Sequence, residues 1–292
     1  MKARFPTWVG RGILYLLPLA ADANDSQRAD DRAALPPQQL IKQLSKAGTQ
    51  AGLWGALVAF DGERITALEL SKSGTRVPTD PINTKAAGTA SLAVELLRDF
   101  PATGLLRAAA SYEVPSCPGR PIAGRWVACF SAAPKDTHRH GYEVWMDVSV
   151  PAVLAVSVLS TDGFLLESAR FVRPEPGRLR SRGSTREKET GAPPALPRWL
   201  PEGFVLRSWM LSEEETVMRF SDGVAGFTLY ATPFEGDRLD TGETVHGASV
   251  VVDRLTQQQG EPAPLTTVAG EVPLATARRT LIGLNSWRHK CD

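Results

Sequence analysis

The sequence predicts an α+β protein in which antiparallel sheets dominate and helices are few. The pairs Asp61-Gly62 and Asp162-Gly163 each separate two apolar segments, which is typical of β-hairpins. Glycine and proline are frequent, at 25 and 22 residues, and this favours turns over long helices. A chain of 292 residues has room for about two domains.

The N-terminus has the pattern of a secretory signal peptide. Lys2, Arg4 and Arg11 precede an apolar run over residues 12–21, and small residues end at Ala23. The run is shorter than the roughly 20 apolar residues needed to cross a bilayer. We therefore expect residues 1–23 to be removed and the mature chain to be exported, with an uncleaved anchor as the alternative.

The first domain is expected over residues 24–172. Leu40, Ile41 and Leu44 have helical spacing, and the apolar run 53–60 then turns at Asp61-Gly62 into a second strand over 65–70. A further helix is predicted over 86–100. Four more strands are predicted to form an antiparallel meander, over 125–132, 140–147, 152–160 and 165–172.

A change of composition marks residues 173–195, where proline, glycine and arginine are frequent and apolar residues are rare. Such a segment is expected to be a solvated, flexible linker. Its arginines could also contact an anionic surface, but Glu187 and Glu189 dilute their charge.

The second domain is expected over residues 196–292. Ser221-Asp222-Gly223 predicts a hairpin between strands at 216–220 and 224–232. Strands are also predicted over 249–255 and 266–272. Pro273 suits the start of a helix over 274–284, which would cover one face of the small sheet.

Export would place the three cysteines in an oxidising compartment. Cys117 and Cys129 could then close a short loop as a disulfide, leaving Cys291 over; three free thiols are the alternative. No pair has the Cys-x-x-Cys spacing, so neither a zinc ribbon nor a thioredoxin-type centre is supported.

No arrangement of residues indicates catalysis. The chain lacks a Gly-x-Ser-x-Gly elbow, a cysteine nucleophile motif and a phosphate-binding glycine loop. His138 and His140 have metal-like spacing but lie among polar residues, so we expect an exposed loop there. We predict a non-enzymatic binding protein with no cofactor or metal. The formal net charge of +1 argues against a nucleic-acid partner.

Several short motifs, in a fixed order, resemble the MucB/RseB family. They are Leu-Pro-Glu-Gly-Phe at 200–204, Phe-Ser-Asp-Gly-Val-Ala-Gly-Phe at 220–227, Val-Ala-Gly-Glu-Val-Pro at 268–273 and Ala-Thr-Ala-Arg at 275–278. In the first domain the segments 123–125, 141–147, 162–163 and 166–167 are similar to strands of that family.

The resemblance implies a LolA-like N-terminal domain, in which a half-barrel sheet and helices enclose an apolar cavity, and a smaller C-terminal domain of sheet and helix. It implies a periplasmic protein that binds the periplasmic part of a membrane anti-sigma factor and shields it from proteolysis. The envelope-stress sigma factor would then stay sequestered, and binding of lipid or lipopolysaccharide in the cavity would release the anti-sigma factor. Self-association is left open.

Two departures from the family pattern qualify this expectation. The segment between Leu70 and Pro115 is shorter than in the family and indicates helix and loop where several strands would be expected, so the lipid cavity is expected to be incomplete. The family commonly has a cysteine two residues after the position of Arg125, where this chain has Val127, so the family's disulfide pairing does not carry over directly.

Candidate binding residues are aromatic or apolar. For the partner they are Trp199, Phe204, Phe227 and Tyr230, because aromatic side chains contribute most to interface energies, although packing in the core is the alternative for each. Trp54 and Leu57 are candidates for the lining of the cavity. The Asp222-Gly223 pair is expected to be a structural turn.

Two other functions compete with this interpretation. A LolA- or LolB-like carrier of lipid or lipoprotein would use the same kind of half-barrel, but has no evident need for a second domain. A divergent exported hydrolase would need a nucleophile that the sequence does not supply.

Overall fold

The computed structural model describes residues 35–47, 52–70, 76–78, 92–177, 196–212, 215–233, 241–255 and 264–283. The predicted signal peptide, Cys291 and residues 86–91 of the predicted second helix lie outside these ranges. The described residues form two antiparallel sheets with short helices, which confirms the α+β class.

The first unit is a large sheet with three helices. Its strands and helices, in chain order, are α1 (Pro37–Ala47), β1 (Gly52–Phe60), β2 (Ile65–Leu70), β3 (Arg76–Pro78), α2 (Leu92–Arg98), α3 (Ala102–Arg107), β4 (Tyr112–Glu113), β5 (Ser116–Ile122), β6 (Arg125–Pro134), β7 (Gly141–Asp147), β8 (Ala152–Leu159) and β9 (Leu165–Gly177). The strand order is β3-β2-β1-β9-β8-β7-β6-β4, and β5 also pairs with β6.

One face of this sheet is covered by the helices. Alternate residues of β1, including Leu53, Leu57 and Ala59, are buried on that face because successive strand side chains point to opposite sides. Leu40, Ile41 and Leu44 of α1 pack into the same core, as their helical spacing predicted. The hairpin at Asp61-Gly62 and the meander β6 to β9 are confirmed.

Four elements of the first unit were not predicted: the short strands β3 and β4, the strand β5 and the helix α3. The strand β5 contains Pro118, Gly119 and Pro121, which indicate a loop in sequence, but a strand with one ladder partner tolerates proline. Helix α3 is only six residues long and follows Pro101, so its periodicity is too short to detect.

The first five residues of the predicted linker belong to a strand. Residues 173–177 continue β9 and pair with residues 52–56 of β1. The prolines in this stretch suggested a loop in sequence, but pairing with β1 keeps the segment in the sheet. Residues 178–195, the rest of the predicted linker, lie outside the described residues.

The second unit is a sheet of six strands with one helix. Its elements are β10 (Val205–Leu211), β11 (Thr216–Ser221), β12 (Gly226–Pro233), β13 (Glu243–His246), β14 (Ser249–Leu255), β15 (Pro264–Gly270) and α4 (Leu274–Ile282). The strand order is β10-β11-β12-β15-β14-β13. The predicted hairpin and helix are confirmed, whereas β10 and β13, the two outer strands, were missed.

The two units meet at one end of the large sheet. In the first unit, the contacts come from the turns after β1 and β6 and from the residues around Gly104 and Glu167. In the second unit, they come from Trp199, Glu202, Asp222-Gly223, Gly247-Ala248 and Thr276. Among the described residues, no helix has the length and apolar content needed to cross a membrane.

Candidate functional site

A half-open cavity of about 190 Å³ lies between α1, the α2–α3 turn and the β7–β8 turn of the first unit. Leu44, Leu53, Leu97, Phe100 and Val153 supply its apolar lining. The cavity lies on the helix-covered side of the sheet. It is smaller than the roughly 300–1,000 Å³ typical of pockets that enclose a whole small ligand, so it has room for only part of an acyl chain.

The rim of this cavity is polar. Ser45 and Thr103 hydrogen-bond through their hydroxyl groups at 2.8 Å. Arg98 donates to Glu95 at 2.6 Å and to Asp99 at 2.7 Å. An apolar lining beneath a charged and hydroxylated rim suits an amphiphile whose polar end stays near solvent.

Trp54 and Leu57, which were predicted to line a cavity, lie elsewhere. The two side chains point to opposite faces of β1: Leu57 is buried in the core and Trp54 is partly exposed on the other face. Neither lines the cavity, whereas their neighbour Leu53 does. The sequence pattern correctly placed a strand, β1, beside the cavity. Which residue of β1 reaches the cavity depends on where the helices pack, and the pattern did not specify this.

Phe204 and Phe227, two of the predicted partner-binding residues, lie in the core of the second unit. Both are buried, and their rings stack at 5.6 Å, with Phe220 a further 5.2 Å from Phe227. Both side chains therefore pack in the core, which was the alternative given for them, and do not form a surface. A partner could reach neither ring without opening the unit.

Tyr230 occupies a different environment from Phe227, although both are on β12. It lies on the face of the sheet opposite to the buried side chains Leu229 and Ala231, between its ladder partners Val217 and Thr267. Met210, across from Val217, is 40% exposed on the same face. This partly exposed surface, formed by Met210, Val217, Tyr230 and Thr267, is here called the Tyr230 face.

Trp199 lies near the meeting point of the units. The guanidinium of Arg279 stacks over its ring at 4.2 Å, and His138 of the first unit meets it edge-on at 5.1 Å. Its ring is partly exposed. Trp199 therefore has a role in packing between units in addition to any surface it offers to a partner.

The segment 138–140 was predicted to be an exposed loop, and this is wrong for Arg139 and His140. Both are buried where the units meet. Arg139 pairs with Asp222 across the units at 2.7 Å, so the Asp222-Gly223 turn is both a structural turn and a contact. Contacts between segments that are distant in the chain leave no local pattern in the sequence.

The ionisable groups at this contact are perturbed by burial. Loss of solvent lowers the pKa of His140 to about 4, opposed by its hydrogen bonding to the backbone of Ala248 and Val272. Burial also raises the pKa of Glu271, and the nearby Glu167 carboxylate adds to this effect. Among the described residues, no group of three or more His, Cys, Asp or Glu side chains could hold a metal ion.

Cys117 and Cys129 form a disulfide between β5 and β6. Cys129 is the ladder partner of Trp145 on β7, and the guanidinium of Arg120 stacks over the Trp145 ring at 4.4 Å. The bond therefore ties an outer, proline-containing strand to β6, the strand beside it in the large sheet.

A comparison with known families identifies this architecture. Residues 56–188 match the model of the MucB/RseB N-terminal domain. Residues 56–188 thus form a MucB/RseB N-terminal domain. The match begins in β1 and ends beyond β9, so in the described structure it covers most of the large sheet together with helices α2 and α3.

Two relatives in this family are sigma-factor regulators by name. The chain is 29% identical over 181 residues to the sigma factor AlgU regulatory protein MucB of Pseudomonas aeruginosa, and 27% identical over 177 residues to the sigma-E factor regulatory protein RseB of Haemophilus influenzae. These alignments cover 56% and 54% of this chain, and 57% and 54% of the two relatives. The matched part of the chain thus spans little more than half of each MucB/RseB relative.

The MucB/RseB resemblance extends to the whole fold. A crystal structure of MucB in complex with MucA(peri) aligns with a TM-score of 0.63 and 20% identity, over 84% of this chain and 97% of that one. The alignment shows that both sheet units have their counterparts in MucB.

Proposed function

We propose that this chain is a regulatory binding protein that holds the periplasmic part of a membrane anti-sigma factor. Its relatives are named as regulators of sigma factors, and MucB has been crystallised with MucA(peri). By binding its partner, the protein would protect the anti-sigma factor from proteolysis and so restrain the envelope-stress sigma factor. The apolar start of the chain supports export to the periplasm.

The observation that carries this proposal is the Tyr230 face of the second unit. The face has Tyr230 on an inner strand, with Val217 and Thr267 on the strands beside it and Met210 next to Val217. A tyrosine flanked by aliphatic and hydroxyl side chains offers a large apolar contact and a hydrogen-bonding group together, as the anchors of protein interfaces do.

Release by lipid is the second part of the proposal. The cavity lined by Leu44, Leu53 and Phe100 has the apolar interior and polar rim that an acyl chain with a polar end group requires. Lipid could release the partner only through a difference in its affinity for the bound and free arrangements of the protein.

Isothermal titration calorimetry tests partner binding directly. The purified chain is titrated with the periplasmic segment of a membrane anti-sigma factor from the same organism, and a scrambled peptide of the same composition is the control. Binding at micromolar affinity or tighter, absent for the scrambled peptide, is the expected result. A folded protein that binds neither peptide would overturn the proposal.

A carrier of lipid or lipoprotein remains the second candidate, and the cavity is the observation that favours it. It ranks lower because about 190 Å³ cannot enclose a whole acyl chain. A carrier should retain a fluorescent fatty acid with high affinity and show no affinity for the anti-sigma segment, so the same two titrations separate the candidates.

A further inference from the structure

The side chain of Arg139 is completely buried between the two sheet units. Its Nη1 donates to Asp222 Oδ2 at 2.7 Å and its Nη2 to the carbonyl oxygen of Glu202 at 2.6 Å, and both acceptors belong to the second unit. Within the first unit, Asp136 accepts from Nε at 3.2 Å and lies 2.9 Å from Nη2. The guanidinium therefore joins acceptors from both units.

Aromatic rings from each unit also enclose this guanidinium. The centre of the Tyr112 ring, in the first unit, is 5.6 Å from the guanidinium carbon, and that of the Phe204 ring, in the second, is 5.2 Å away. Stacking on ring faces and planar hydrogen bonding at the edge both depend on orientation. The guanidinium can make its hydrogen bonds and its ring contacts at the same time in only one relative placement of the two units.

The acceptor side of the contact is equally fixed. Asp222 Oδ1 accepts from the backbone N–H groups of Val224 at 2.8 Å and Ala225 at 2.9 Å, which holds the turn after β11 in shape. Only Oδ2 is directed to Arg139. The carboxylate is thus oriented by its own unit before the units meet, and it pairs with the arginine as a rigid group.

A second row of contacts lies beside the first. Glu167 Oε2 accepts from the backbone of Ala93 at 3.1 Å within the first unit, and its Oε1 accepts from the backbone of Ala248 in the second unit at 2.9 Å. His140 Nε2 hydrogen-bonds to the carbonyl oxygen of Ala248 at 3.1 Å. Both rows bring a buried side chain of the first unit to a turn of the second.

We propose that Arg139 is a latch that fixes the two sheet units in one arrangement, so that they behave as a single body despite the polar segment that connects them. A buried charge needs its partners: when Asp222 loses the arginine in the closed arrangement, its carboxylate is left desolvated. Opening the units returns both groups to water. Loss of either partner therefore shifts the equilibrium towards separated units, and a state with reoriented units requires the release of Arg139 from Asp222 and Glu202.

Distance measurement by double electron–electron resonance tests this latch. Spin labels are attached at Ser149→Cys and Thr244→Cys, which are exposed positions in the first and second units, in a Cys291→Ser background. The purified chain is compared with Arg139→Met, which keeps length and apolar bulk, and with Asp222→Asn, which keeps the Oδ1 acceptor for the turn. Arg125→Met is the matched control, because Arg125 pairs with Asp147 at 2.6 Å inside the first unit.

The latch predicts one narrow distance distribution in the parent chain and in Arg125→Met. It predicts a broader distribution, extending to longer distances, in both latch variants, while circular dichroism shows that the sheets are intact. A broad distribution in the parent chain overturns the proposal. So does a narrow one in folded Asp222→Asn, even where Arg139→Met does not fold. Since no partner or lipid is added, the result is independent of the proposed function.

Discussion

The backbones of Gly104 in helix α3 and Gly223 in the turn after β11 touch where the two sheet units meet. A methyl group built on Gly104 would overlap the carbonyl oxygen of Gly223. Gly223 itself has a φ of +108°, which disfavours other residues there. Two glycines, one from each unit, thus permit an approach that any side chain at position 104 would prevent.

Replacement of Gly104 by alanine is expected to destabilise the protein. Alanine favours a helix over glycine by about 1 kcal/mol, but an overlap at a packed contact costs roughly 1–3 kcal/mol, and here the obstacle is backbone that cannot rotate away. We expect a net loss in urea unfolding experiments. Gly242→Ala, at a position with no heavy atom nearby, is the control and should be nearly neutral. Equal stability of the two variants contradicts the close approach.

His140 is expected to make stability depend on pH. Its pKa is about 4 in the folded chain against 6.5 for an unperturbed histidine, so only the unfolded chain takes up the proton between these values. Stability should therefore fall as pH decreases from about 6.5 to 4, by up to about 3 kcal/mol.

Comparison with His140→Gln isolates this effect, because glutamine can still donate to the carbonyl of Ala248 and does not titrate. Glu271, whose pKa is raised, acts in the opposite direction but is present in both proteins. Urea unfolding midpoints measured across this range should decline more steeply for the parent chain. Parallel curves would show that His140 is not kept neutral by the fold.

Tyr230→Ala is expected to weaken partner binding while leaving stability largely unchanged. Its ring lies on the partly exposed Tyr230 face, and loss of an aromatic anchor typically reduces affinity by at least roughly tenfold. Phe227→Ala, on the same strand but facing the core, should instead cost about 3–5 kcal/mol of stability. Calorimetry and thermal unfolding are measured on both; unchanged affinity in Tyr230→Ala removes this face from the binding site.

Thr103→Trp is expected to reduce the uptake of an acyl probe. Thr103 is an exposed residue at the rim of the cavity, so an indole there can enter the space without rearranging the core. Trp54→Ala, on the opposite face of the sheet, should leave uptake unchanged. Fluorescence titration with a labelled fatty acid distinguishes the two, and equal uptake by parent chain and Thr103→Trp would place any lipid site elsewhere.

Removal of the disulfide is expected to destabilise the first unit. Cys117 and Cys129 are separated by 12 residues in sequence, and a loop of this size contributes about 3 kcal/mol by restricting the unfolded chain. The paired substitutions Cys117→Ala and Cys129→Ala should lower the urea midpoint by a corresponding amount. Cys291→Ala serves as the control for loss of a single thiol. If it lowers the urea midpoint as much as the paired substitutions do, the disulfide does not stabilise the protein.

The predictions from sequence were best where structure is local. The Asp-Gly turns, the alternation of β1 and the amphipathic spacing of α1 all depend on residues close together in the chain, and the structure has them where predicted. The strand β5 and residues 173–177 were missed because proline suggests a loop, while a neighbouring strand can still hold such a segment in a sheet.

The candidate site was less accessible to sequence reasoning. Phe227 and Tyr230 are both aromatic residues of one strand, and only the packing of α4 against the sheet decides which of the two is buried. Arg139 is an arginine in a polar segment, with nothing nearby in sequence to indicate burial. Its acceptors in the second unit, Glu202 and Asp222, are more than 60 residues away in sequence, and only the complete fold brings them to Arg139.

The direction of β9 limits how far the two units can separate. This strand starts near the second unit and, over 13 residues, runs about 40 Å to the opposite end of the large sheet, so its last residue and the start of the second unit lie about that far apart. At about 3.4 Å per residue the connection through residues 178–195 can reach roughly 60 Å, which leaves about 20 Å of slack. Units freed from each other therefore stay at high effective concentration, and re-docking is an intramolecular, reversible event.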